Sequence, residues 1–319
     1  MKPIRLVLVA VALFTANPTQ AQEASRWITL GTQGGPIPLK TRSQPANLLV
    51  TRDGDYLIDA GVGVSEQLAK ATVSLAQVKA VVLSHLHFDH TAGLFGVISL
   101  RWQTNINSPL TIYGPPGTKQ LVDGILSSMG PAVEAGYAYP GEVHRPFQPG
   151  ITVVEIRDGA NFDLGTTHVT AVKNTHYTFP PGSADDARFQ SLSFRFATPG
   201  RVIAYTGDTG VSPAVEKLVH GADLLVSEMI DYDGVVAEIR RESPNMPPAA
   251  LAGIERHLRD HHLTPRQVGD LARSAGVKAV VITHLSGPEL DGTRELDYIR
   301  GIGENFLGSA VIARDLDEF

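Results

Sequence analysis

Val78-Lys-Ala-Val-Val-Leu-Ser-His85-Leu-His87-Phe-Asp89-His90 begins as a β-branched run of the kind that forms a strand buried on both faces, and it ends in a polar turn. Three imidazoles and a carboxylate at the end of a buried strand have no packing rationale, because such groups are seldom buried without partners. The cluster reads as half of a metal site. A second run, Val277-Lys-Ala-Val-Val-Ile-Thr-His284-Leu, repeats the pattern and offers His284 as a further ligand.

Outward from these two runs, strand-like and helical patterns alternate. Strands are expected over 47–51, 56–60, 79–85, 109–113, 151–156, 167–175, 191–196, 201–206, 223–228 and 278–284, and helices over 64–72, 117–129, 213–221, 248–260 and 265–276. Ser212-Pro213 and Thr264-Pro265 set a capping residue before a proline, a common helix start. Early antiparallel strands followed by alternation imply two sheets covered by helices, with the 79–85 and 278–284 runs as equivalent strands of two related halves. Three segments, 130–150, 178–190 and 231–247, read as long loops rich in Pro, Gly and aromatics, suited to binding walls.

Composition narrows the function. Residues 1–21 carry a positive start (Lys2, Arg5), an apolar run from Leu6 to Phe14 and small residues at Thr19-Gln20-Ala21, a secretory leader too short to span a bilayer. Residues 22–319 then form a single domain in an exported protein, periplasmic or secreted, and no later run approaches the length of a membrane helix. The whole chain has a net charge of −6; without Lys2 and Arg5 it has 25 basic residues against 33 acidic ones, about −8. Such a charge disfavours nucleic acid, whose binding is driven by phosphate neutralisation. No cysteine is present, which excludes disulfides, thiolate ligands and a Cys nucleophile. Oligomeric state is not legible, and a homodimer is compatible with the sequence.

One tetrahedral ion needs only about four ligands, so the donors of residues 85–90 suit two adjacent ions better than one. The remaining donors are expected at other strand ends: His176, Asp208 in Thr206-Gly207-Asp208-Thr209, and His284. Asp59, ending the 56–60 strand, is a candidate to orient a ligating histidine, and Gly207 to permit the turn that aims Asp208.

With these residues in this order, the chain resembles the metallo-β-lactamase superfamily over essentially its whole mature length. The resemblance implies a four-layer αββα sandwich with the metal site at strand ends. His85, His87 and His176 would hold one ion, Asp89, His90 and His284 the second, and Asp208 would bridge them. Two Zn²⁺ are implied, although Mn or Fe also suits His and Asp donors. Bound metals bring the pKa of water towards ~7, so a bridging hydroxide becomes the nucleophile. The ions outweigh Asp89, Asp208 and that hydroxide by about one charge, which favours a small anionic substrate.

Leu225-Val-Ser-Glu228, His261-His262-Leu-Thr264-Pro and Pro109-Leu-Thr-Ile-Tyr-Gly-Pro-Pro-Gly117 resemble the arylsulfatase and tRNA 3′-processing group. By that resemblance Glu228 orients His262, and His262 protonates the leaving group or holds a substrate oxygen, with Asp89 also at the reacting centre. His261 is the neighbour that could exchange roles with His262. The tRNA-processing members carry an Arg-Tyr pair after the last metal histidine and a basic, glycine-rich arm. This chain reads His284-Leu-Ser-Gly-Pro-Glu and has no such arm. The expectation is therefore a dinuclear hydrolase of small sulfate or phosphate esters, without nucleic acid as a partner. The alternatives are a lactonase or β-lactamase-type hydrolase, and a metal-bearing binding protein without turnover. His144, His168, His220 and His257 lack supporting context and read as surface or helix positions; Tyr177 reads as a core ring.

Overall fold

Each long strand carries apolar side chains on both faces, and this sets the number of layers. In the computed structural model, which describes residues 25–142 and 150–319, six strands follow in order: β1 (Arg26–Gly31), β2 (Ala46–Thr51), β3 (Gly54–Ile58), β4 (Val78–Val82), β5 (Leu110–Gly114) and β6 (Ile151–Glu155). Seven more follow: β7 (Asn161–Leu164), β8 (Thr167–Lys173), β9 (Leu192–Ala197), β10 (Val202–Tyr205), β11 (Leu224–Ile230), β12 (Ala279–Ser286) and β13 (Ser309–Ile312). The short β14 (Asp317–Glu318) returns to pair with β1. The expected leader over 1–21 and His144 lie outside the described residues.

The first sheet runs β14-β1-β2-β3-β4-β5-β6 and the second β13-β12-β11-β10-β9-β8-β7. Along each strand successive side chains feed different cores, as the period of two requires. Val82 in β4 and Val281 in β12 enter the space between the sheets, with Trp27, Phe194, Phe196 and Tyr205. Val81 faces the outer layer of the first sheet, where the helices Val64–Lys70, Leu94–Gln103 and Thr118–Ser128 lie. Val280 and Ile282 face the helices Pro213–Val219, Pro265–Ala275 and Gly292–Gly303 over the second sheet. Three cores between four layers give the αββα sandwich.

Both sheets share one pairing pattern, which bears out two related halves. From β14 to β3 the neighbours are antiparallel and from β3 to β6 parallel; from β7 to β10 they are antiparallel and from β10 to β13 parallel. By this pattern β4 corresponds to β11, and β12 to β5. The repeated sequence therefore does not mark equivalent strands, contrary to expectation. Any central parallel strand buried on both faces needs the same β-branched run, so the likeness reports burial rather than position.

The three expected loops contain helices. Tyr232–Glu242 fills most of 231–247, with the Asp231 side chain accepting from Gly234 N; Gly130–Ala135 and Ala184–Arg188 occupy parts of the other two, the latter capped by Ser183. Local side-chain caps start the helices at Tyr232 and Ala184, whereas Gly130–Ala135 has no side-chain cap and carries a proline in its first turn. Among the described residues no helix is long and apolar enough to cross a membrane.

Because Phe194 is fully buried between the sheets, 6.0 Å from Phe196 by ring centroid, Phe194→Ala is expected to lower the unfolding free energy by about 3–5 kcal/mol, measured by urea titration. A cost below about 1 kcal/mol would contradict this account of the central core.

Candidate metal centre

The parallel strands of both sheets point the same way, so their C-terminal ends deliver polar residues to one edge. Asp59 follows β3, His85 follows β4, Asp208 follows β10, and Glu228 and His284 stand in the last turns of β11 and β12. A register shift lets Thr283 and His284 together oppose Glu228, an extra residue of the kind that re-aims a side chain. His284 sits there at φ +38°, a rare conformation for a non-glycine residue. Gly207, at φ +55°, makes the turn before Asp208; a Cβ there would lie 2.8 Å from Leu192 O.

The seven residues expected from the sequence converge. His85 Nε2 and His176 Nε2 each lie 3.1 Å from His87 Nδ1, close to the edge of about 3.3 Å for a tetrahedron with Zn–N of 2.0–2.1 Å. His90 Nε2 and His284 Nε2 are each 3.6 Å from Asp89 Oδ2. Asp208 stands between the two groups, with Oδ2 3.8 Å from His85 Nε2 and from His176 Nε2 and 3.2 Å from His284 Nε2, and Oδ1 3.4 Å from His90 Nε2. This His/Asp cluster can hold metal: donors in the groups His85/His87/His176, His85/His90/Asp208 and Asp89/His90/His284 lie within 4.8 Å of one another.

The far ring nitrogens fix which atoms face inwards. Asp59 is fully buried; its Oδ2 accepts from His90 Nδ1 (2.9 Å), Ser84 Oγ (2.8 Å) and Tyr205 OH (2.8 Å), and its Oδ1 from Ser84 N (2.7 Å). With its proton on Asp59, Ser84 Oγ accepts from His85 Nδ1 at 3.0 Å, so His85 Nε2 presents a lone pair. His176 Nδ1 donates to the His261 carbonyl at 3.2 Å, which turns its Nε2 to the cluster. His90 Nε2, Asp208 Oδ1 and both ring nitrogens of His284 remain buried without a hydrogen-bond partner. A divalent cation would satisfy His90 Nε2, Asp208 Oδ1 and His284 Nε2, which face the cluster, where nothing else in the fold does. Burial holds the His85 and His176 imidazoles well below their ordinary range, in the neutral form that metals bind.

Beside the cluster, His262 Nδ1 donates to Glu228 Oε2 at 3.1 Å, and Glu228 Oε1 accepts from Leu263 N (2.9 Å) and Thr209 N (3.3 Å). The His262 ring lies 5.0 Å from His176 and 6.1 Å from His284 by centroids. His261 instead faces Thr178 Oγ1 through its Nε2 at 2.8 Å. Burial opposes protonation of His262, but the Glu228 carboxylate outweighs it and raises the imidazole above its ordinary value. Three features escaped the sequence reading. His257, expected at a surface or helix position, does lie on the helix Pro248–Asp260 but stands 5.2 Å from His176 by centroids, and burial with His262 and His261 holds it down at about 4. Its i, i+4 spacing to His261 was the available signal. Tyr177 is half-buried, 5.2 Å from the His87 ring, and stands at the rim of the site rather than in the core. Ser84 and Tyr205 gave no signal, since their role depends on the neighbour they meet.

Fold and site together define a metal-dependent hydrolase. Residues 55–285 match the beta-lactamase superfamily domain, and the chain belongs to the metallo-β-lactamase superfamily. It is 29% identical over 292 residues to the Ribonuclease Z of Mycobacterium bovis, covering 91% of this chain and 96% of that one. It is 30% identical over 260 residues to the Ribonuclease Z of Mycobacterium marinum, covering 81% and 85%. Human tRNase Z, short form, superposes with a TM-score of 0.62 at 22% identity over 92% of this chain and 98% of that one, a likeness of fold.

These relatives overturn several expectations. Sulfate or small phosphate esters, and equally the lactone or β-lactam alternative, give way as substrates, because the relatives are ribonucleases. The exclusion of nucleic acid falls with them: net charge counted over a whole chain does not describe the field at a site that two cations would dominate. Within the group first resembled, the tRNA-processing side is supported and the arylsulfatase side is not. The expectation of export, read from residues 1–21, is corrected by the same comparison: the relatives that match bear the name Ribonuclease Z and lend it no support.

Removing the Asp59 carboxylate frees His90, Ser84 and Tyr205 together, so Asp59→Ala is expected to weaken metal affinity about 10- to 100-fold. Competition of loaded protein with a chelator, followed by elemental analysis, measures this. Unchanged affinity would show that Asp59 does not orient the donors.

Proposed function

We propose that this chain is an endoribonuclease of the ribonuclease Z kind, hydrolysing a phosphodiester bond in RNA near a tRNA 3′ end. The carrying observation is that relatives bearing that name match from 81% to 91% of the chain at 29–30% identity, while the donors of such a hydrolase meet at one edge of the sheets. In this reading His85, His87 and His176 would hold one Zn²⁺ and Asp89, His90 and His284 a second, with Asp208 placed between the two groups. Bound there, the ions would supply Lewis-acid polarisation of the phosphoryl oxygen and a water ionised near neutral pH.

The residues of the chain perform the remaining tasks. Hydrolysis forms a bond from the water oxygen to phosphorus and breaks the bond from phosphorus to the leaving ribose oxygen, which needs a proton. His262 is placed to give it. Its Nδ1–H is held by Glu228, which leaves Nε2 to face the site. Glu228 is in turn fixed by two backbone amides, so the imidazole cannot swing away. Asp89 takes part through its place beside His90 and His284.

The direct test incubates metal-loaded protein with a precursor tRNA bearing a 3′ extension. A single endonucleolytic cut near the end of the acceptor stem is expected, lost on chelation and restored by Zn²⁺; intact RNA under loaded conditions would refute the assignment. His262→Ala is expected to lower kcat by about 10²-fold or more. Glu228→Gln removes the carboxylate that keeps His262 protonated, so the alkaline limb of the rate–pH profile should move to lower pH. A shift upward, or none, would remove Glu228 from this role.

A further inference from the structure

A cleft of ≈ 940 Å³ opens beside the metal centre, lined by Leu86, Phe88, Lys119, Glu155, Arg188 and Phe189. Phe88 lies between the donors His87 and Asp89, yet its side chain turns outward and is 84% exposed. From the centre a line of rings leads into the same cleft: Tyr177 is 5.2 Å from His87, Phe179 is 6.2 Å from Tyr177, and Phe189 is 5.6 Å from Phe179, all by centroids. Arg188 rests over Phe189, with its guanidinium carbon 4.9 Å from the ring centre.

The cleft holds little for phosphate. The helix Thr118–Ser128 begins at its wall, but Glu155 Oε1 already accepts from Gly117 N and Lys119 N, at 2.8 and 3.1 Å. Lys119 is paired with Asp123 at 2.7 Å. Among the described residues that line the cleft, this leaves Arg188 as the cation not matched by a carboxylate, and it lies on a ring. The chain also lacks the Arg-Tyr pair and the basic arm, and its net charge is −6. Rings flush with solvent, one backed by a guanidinium, instead match what unpaired bases stack on.

Resting on the ribonuclease reading above, we propose that Phe88, Phe189 and Arg188 form a stacking subsite for unpaired nucleotides beside the scissile phosphate, gripping RNA by its bases rather than its backbone. Phe88 stands nearest the centre and takes the first base. The Arg188–Phe189 pair presents a planar cationic face to the next and a charge to the phosphate between them. Stacking of this kind tolerates any base, so the subsite selects for single-stranded character and not for sequence.

The test uses the full, metal-loaded protein and a stem RNA with a five-nucleotide 3′ tail, made either with bases or with abasic sugars throughout the tail. For the unaltered protein the abasic tail should raise KM about tenfold or more, with kcat little changed. Phe88→Ala/Phe189→Ala should raise KM for the natural tail by a similar factor and erase the difference between tails. Phe88→Trp/Phe189→Tyr should restore it, which separates stacking from damage to the fold. Equal KM for the two tails in the unaltered protein, or no effect of the double alanine, overturns the subsite while the ribonuclease reading stands. Failure of the loaded protein to cut either RNA removes that reading, and the subsite falls with it.

Discussion

His90 Nε2, Asp208 Oδ1 and both ring nitrogens of His284 are buried and meet no hydrogen-bond donor or acceptor. Each such atom costs the fold about 1–3 kcal/mol, and a domain keeps only about 5–15 kcal/mol of net stability. An apolar replacement at any of these positions would relieve that cost. The joint presence of His90 Nε2, Asp208 Oδ1 and His284 Nε2 at one point is explained by divalent cations, which would satisfy these three and neutralise Asp89 and Asp208, while His284 Nδ1 faces away towards Gly34. The site is therefore a debt of the apoprotein settled by the metal, and the surrounding structure can be understood as the means of keeping it open.

Rigidity comes from the sheets. Parallel strands packed on both faces cannot slide without disturbing the two cores they border, so the turns at their ends hold fixed positions. Asp59 exploits this: one carboxylate at the end of β3 orients His90 directly and His85 through Ser84, and ties both to Tyr205 in the opposite sheet. The bulge at Thr283–His284 does comparable work on the other side, turning His284 inwards opposite Glu228, which holds His262. The donor set and the Glu228–His262 pair thus share one framework.

On the ribonuclease reading proposed above, an acidic chain would meet a polyanion through the field of the cations its donors would hold. That field would centre on the donor cluster, and the cleft beside it adds few unpaired cations of its own. What the chain supplies around that field is flat apolar surface. Base stacking adds contact that does not depend on charge, so the net charge of the protein leaves that part of an affinity untouched.

Sequence alone determined the chemistry of the centre. His85, His87, Asp89 and His90 within a single turn, after a run that could only be a buried strand, implied metal without any knowledge of packing. The order of His176, Asp208 and His284 at later strand ends then placed the remaining donors and, through the family resemblance, the αββα fold. The same local likeness misled when β4 and β12 were taken for equivalent strands, because β-branched runs record burial and are blind to topology. Tyr232–Glu242, started by an Asp cap, was read as part of a loop because Gly234, Pro244 and Pro247 punctuate that stretch. Only the tertiary structure could bring Ser84, Tyr205, His257 and the His261 carbonyl to the centre or line Phe88 and Phe189 along one cleft. Their roles depend on neighbours far away in the chain, and serine, tyrosine and phenylalanine carry no chemical signature until something is placed against them.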